Sequence, residues 1–138
     1  MTTRLLTILL IVASVGAGLM GGLFFVFSNV IMSAFDRLPA GGGVPAMQRI
    51  NEVILNPVFF LVFFGTAVLC VVLLVFYLTH LDKPGAWIAC AGAVIYLLGS
   101  IVVTMICNVP LNNKLAAVPA TASDLVAQWQ AYRVPWTQ

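Results

Sequence analysis

The sequence is poor in charge. Only 7% of its 138 residues are Asp, Glu, Lys or Arg. That excludes a small soluble domain, whose incompletely buried surface must face water. The six basic side chains are scattered, so there is no basic face of the kind that grips nucleic acid. There is a single histidine, and the three cysteines Cys70, Cys90 and Cys107 all sit in apolar runs. No cluster of His, Cys and carboxylate is spaced for a metal, and no histidine pair for a haem. A glycine-rich phosphate loop and a serine nucleophile elbow are missing too. Any chemistry is therefore expected to run with no cofactor. Cys90 and Cys107 fall on one predicted helix, so a disulfide framework is not expected.

What fills the chain is apolar: 62% of residues are hydrophobic and mean hydropathy is +1.11. Three runs are long enough to cross a bilayer, at about 5–32, 57–79 and 86–107. The first could be taken for a signal peptide after Arg4, but it stays apolar where a cleavage site would fall. The segment from His80 to Gly85 carries charge, proline and glycine, so the second and third spans form a hairpin. The segment 45–55 reads as a helix on the membrane surface, with Met47, Ile50, Val53 and Ile54 on one face. A second amphipathic segment, 122–133, follows a Thr121–Asp124 capping arrangement. Trp129, Tyr132 and Trp136 suit an interfacial belt. The expected fold is all-α: an integral membrane bundle of three transmembrane helices plus interfacial amphipathic helices, in one membrane domain. Arg37, Arg49, Lys114 and Arg133 face Arg4 and Lys83 across the bilayer, which favours the first loop inside.

Small and polar residues gather on particular faces. Ser14, Gly18 and Gly22 recur every four residues and suit close helix packing in lipid. Gly92, Tyr96, Ser100, Thr104 and Asn108 share one face of the third span. Such a stripe either bonds back to its own helix or lines a polar cavity. His80 suits a proton acceptor or a helix-end cap. Asp36 and Glu52, near Arg37 and Arg49, suit ion pairs or general acid–base work.

The run Gly21-Gly22-Leu23-Phe24-Phe25-Val26-Phe27-Ser28-Asn29-Val30-Ile31-Met32, the segments Met47-Gln48-Arg49-Ile50-Asn51 and Asn56-Pro57, and above all Asn108-Val109-Pro110-Leu111-Asn112 resemble the anthrone oxygenase-like family of small membrane proteins, many of them bacterial. The resemblance implies oxidation of an anthrone to an anthraquinone by molecular oxygen without a cofactor, in a bacterial cytoplasmic membrane. On that reading His80 or Asp36 is the base, Asn29, Tyr96 and Asn108 are donors, and Ser100 and Thr104 help line the substrate site. The resemblance also implies an Asn and Arg pair and a fourth membrane helix after the Trp129–Trp136 segment, which this sequence does not reach before Gln138. Two other classes stay open. One is a non-catalytic subunit docking through the Ser14–Gly18–Gly22 face onto a membrane-protein partner or a second copy. The other is a carrier of a small apolar ligand. The lipid bilayer is the partner common to all three.

Overall fold

A computed structural model describes residues 2–137. Five helices follow one another: α1 (Thr3–Asp36), α2 (Gly43–Val53), α3 (Pro57–Leu78), α4 (Ala86–Ala116) and α5 (Leu125–Trp136). No strand occurs among the described residues. Helices α1, α3 and α4 are long and apolar enough to cross a membrane, which marks an integral membrane protein. Leu61 and Ile88 are 73% and 79% exposed, tolerable only against lipid.

Two compact units divide the chain. The first joins α1 up to Gly21 with Pro57–Val103. In it α3 and α4 form a hairpin, turned by Lys83 N–H to the His80 carbonyl (3.1 Å) and by Gly85 at φ 77°. Ala13, Leu73, Tyr77, Ala86 and Cys90 make its core. Gly16 is buried against Thr66, where a Cβ would strike the threonine hydroxyl, so α1 meets α3 at van der Waals distance. The face that packs here is Ala13, Gly16 and Met20. Ser14, Gly18 and Gly22 are exposed, with nothing within 4 Å of either glycine's Cβ position.

The second unit holds Gly22–Asn56 and Thr104–Gln138. Its core is Phe27, Met32, Val44, Met47, Leu115, Trp129 and Tyr132. Gly43 is needed at a close approach, since a Cβ there would lie 2.6 Å from the Trp129 indole. Trp129 and Tyr132 are therefore core residues, 3% and 4% exposed, and not the lipid belt expected of them. Their polar atoms find partners inside the protein, which removes the need for headgroups. Thr121 is no cap either: it lies in a turn, α5 begins after Asp124, and Asp124 accepts from Gln128 Nε2 (2.8 Å).

Two of the long helices widen into π turns at polar residues: Phe27–Ile31 in α1, and Leu97–Val102 and Thr104–Asn108 in α4. Pro110 supplies no N–H for the carbonyl of Ile106, and the widened turn just before it lets α4 continue to Ala116 without breaking. All three cysteines are free.

Candidate functional site

Polar side chains concentrate in the second unit. Among the described residues, the buried side-chain polar atoms left with neither a hydrogen bond nor an ion pair are Thr104 Oγ1 and Trp136 Nε1, and both belong to this unit; Arg133 Nε has its ion pair with Asp36, and Asn51 its side-chain hydrogen bond with Tyr132. A buried polar group left unpaired costs roughly 1–3 kcal/mol, so each such group calls for an explanation.

Gln48 sets the register. Its Nε2 donates to the carbonyls of Leu115 (2.8 Å) and Val118 (2.9 Å), in the last turn of α4 and just past it. Three residues along α2 comes Asn51, and three residues back along α4 comes Asn112, so the clamp lays the two asparagines on the walls of one groove. Tyr132 completes the arrangement from α5: its hydroxyl donates to Asn112 Oδ1 at 2.8 Å. With Oδ1 occupied, the Asn112 NH2 group is the end free to serve a ligand. Burial pushes the Tyr132 phenol above the ordinary tyrosine range, and the side-chain hydrogen bond with Asn51 opposes this only in part. Tyr132 therefore stays a neutral donor to Asn112 at physiological pH.

The groove has a volume of about 430 Å³, within the range of small-molecule sites. Gln48, Asn51 and Glu52 line it from α2, and Asn112 and Asn113 from α4, with apolar wall from Leu55 and Val109. Glu52 is the carboxylate on its lining. It pairs with Arg49 at 2.6 Å, but the two side chains are 64% and 78% exposed, so the pair is weak and displaceable.

The residues singled out by sequence are distributed differently. Asp36 ends α1 and gathers three partners on Oδ1: the donors Gln130 Nε2 (2.8 Å) and Trp129 Nε1 (3.2 Å), and the Arg133 guanidinium in an ion pair (3.3 Å). It ties α5 to α1 within the second unit. His80 belongs to the first unit, where its Nδ1 lies 2.9 Å from the Phe76 carbonyl and its ring stacks on Phe76 at 4.4 Å. Tyr96, also in the first unit, donates to the Phe63 carbonyl (2.8 Å), and half-buried Ser100 follows one turn later. Asn29 bonds back to the Phe25 carbonyl (2.9 Å) on its own helix. Thr104 and Asn108 are half-buried in the second unit, Thr104 with its hydroxyl unpaired. Asn51, Asn112, Tyr132 and Glu52 were not readable as a group, because they come from α2, α4 and α5. The available signal was the excess of asparagine and glutamine in otherwise apolar flanks. Among the described residues no three His, Cys, Asp or Glu side chains gather closely enough to hold a metal ion.

The site joins neutral amide donors, one carboxylate and a groove open to apolar molecules. Such donors steady charge that develops on an oxygen, and a carboxylate can take a proton beside them. Comparison with known proteins agrees with the resemblance read from the sequence. The family model described as anthrone oxygenase matches residues 59–138, more than half of the chain and inclusive of Asn112, Trp129 and Tyr132. No curated protein and no solved structure matches. The chain belongs to the anthrone oxygenase family.

Proposed function

We propose that this family member is an oxidoreductase of a membrane, in bacteria the cytoplasmic one, which converts an activated methylene of a flat aromatic ketone to a carbonyl with molecular oxygen. The observation that carries the reading is the groove whose walls bring the Asn51 and Asn112 amides beside the Glu52 carboxylate. Glu52 takes a proton from the methylene once the substrate displaces Arg49. The electron pair left on carbon spreads to the ketone oxygen, where the Asn51 and Asn112 amides hold the enolate. Oxygen accepts electrons from that carbanion and bonds to the carbon as a peroxide anion, which takes back the proton held by Glu52 to become a hydroperoxide. Loss of the second C–H proton then breaks the O–O bond, so methylene plus O2 gives carbonyl plus water. The apolar wall keeps the carbanion from reprotonation by bulk water.

The test is oxygen uptake by the detergent-purified protein with a simple anthrone, with quinone formation followed in parallel. Asn51→Ala is expected to lower kcat by about 10²-fold or more, as loss of one oxyanion donor does elsewhere, and Glu52→Gln to lower it with KM little changed. Uptake indifferent to both changes would sink this site. Saturable binding without uptake would make the protein a carrier.

A further inference from the structure

A second groove, about 400 Å³, runs along the other side of α2. Helix α2 is the wall between the two. Gln48, Asn51 and Glu52 face the polar groove, while Arg49, Ile50 and Val53 face the second one. The periodicity of the helix produces this split, since each set lies on one side at spacings of three or four residues. Past the last turn of α2 the wall ends at Ile54, which lines both grooves. The chain there is pinned by Asn56, whose side chain donates to the carbonyls of Val53 (3.0 Å) and Ile54 (3.3 Å).

The two grooves differ in chemistry. Four amides and a carboxylate give the first its character, whereas Phe27, Ile50, Val53 and Ile54 dominate the second. Phe27 lies within α1, one of the three helices apolar and long enough to cross a membrane, so the apolar groove abuts such a helix. A substrate of fused aromatic rings partitions into the bilayer and meets the protein from that side.

We infer that the apolar groove is the route by which a bilayer-dissolved aromatic substrate reaches the polar groove, and that Ile54, which lines both where the α2 wall ends, sets the size of molecule that passes. The inference rests on the catalytic reading above and adds the direction of approach and a specificity residue. Val53 tests the route because it lines only the apolar groove and is 65% exposed, so a larger side chain fits there without disturbing the core. The full chain in phosphatidylcholine vesicles is compared as wild type, Val53→Trp and Ile54→Trp, with two substrates: an anthrone held in the bilayer and a water-soluble sulfonated anthrone.

Val53→Trp is expected to lower kcat/KM for the bilayer substrate roughly tenfold, through KM, and to leave the sulfonated one unchanged. Ile54→Trp is expected to slow both, and Ile54→Ala to admit ring-alkylated anthrones that the wild type rejects. If the wild type turns over both substrates and Val53→Trp changes neither, or both equally, the route is overturned while the catalytic reading stands. If the wild type turns over neither, both fall.

Discussion

Tyr132 shows how one side chain can be both structural and functional. Its ring fills the core of the second unit and its hydroxyl fixes which end of the Asn112 amide faces the groove. Because the folded protein raises its pKa, the phenol holds its proton in the native state at a pH where the unfolded chain has lost it. The stability it contributes is therefore complete below the ordinary tyrosine value, about 10, and is lost as pH rises beyond it. Thermal unfolding in detergent between pH 8 and 11 should show an alkaline fall in Tm that is smaller in Tyr132→Phe than in wild type. An equal fall in both proteins would mean that Tyr132 is not the group responsible. Single residues were the least legible feature of this sequence. Asn51 and Asn112 lie far apart in the chain, and no periodicity links them. Gln48 had the look of a polar outward position, yet it clamps the end of α4.

Whole elements were more legible where lipid decides their composition. Runs of about 20 uncharged residues can only be spans, so α3 and its hairpin with α4 follow from the sequence. The first apolar run extends past 32 to Asp36 because nothing in Met32–Asp36 obliges a helix to stop. Trp129 and Tyr132 pack into a core where the sequence suggests a belt, because an aromatic face looks the same whether it seeks a headgroup or a core. What distinguishes them is the partner surface, and here that is a glycine. Gly43 gives the Trp129 indole its place, and Asp36 receives that indole's N–H together with Gln130 and Arg133. Gly43→Ala should therefore loosen α5 at a cost of about 1–3 kcal/mol, the usual range for overpacking, and shift Trp129 emission to the red. Asp36→Asn keeps an acceptor for the indole and loses only a part-exposed ion pair. It should cost less, below about 1 kcal/mol. A reversed order of the two losses would show that charge holds the tail, with packing secondary.

At the scale of the molecule, the two units divide the work by solvent. The first has apolar faces for lipid and satisfies its few hydroxyls locally, as Tyr96 does on the Phe63 carbonyl and Thr79 on the Val75 and Phe76 carbonyls. The second holds every unpaired buried polar atom found among the described residues, and both grooves. Changes to the hydroxyls and His80 of the first unit should then act on stability, and changes to the groove lining of the second on turnover. Tyr96→Phe removes the buried hydrogen bonds of its hydroxyl to the Phe63 carbonyl and with Thr66, worth about 1 kcal/mol each, and should lower Tm with kcat and KM as in the wild type. His80→Ala should do no more, since its ring nitrogen and its stacking partner both lie within its own helix end. Parallel measurement of Tm and oxygen uptake decides it. If either variant lost turnover while its Tm held, the base or a donor would lie in the first unit, and the polar stripe visible along the third span would regain its claim as the site. If both keep turnover, that stripe is read as helix packing in lipid, where a hydroxyl must find a partner whether or not chemistry is nearby.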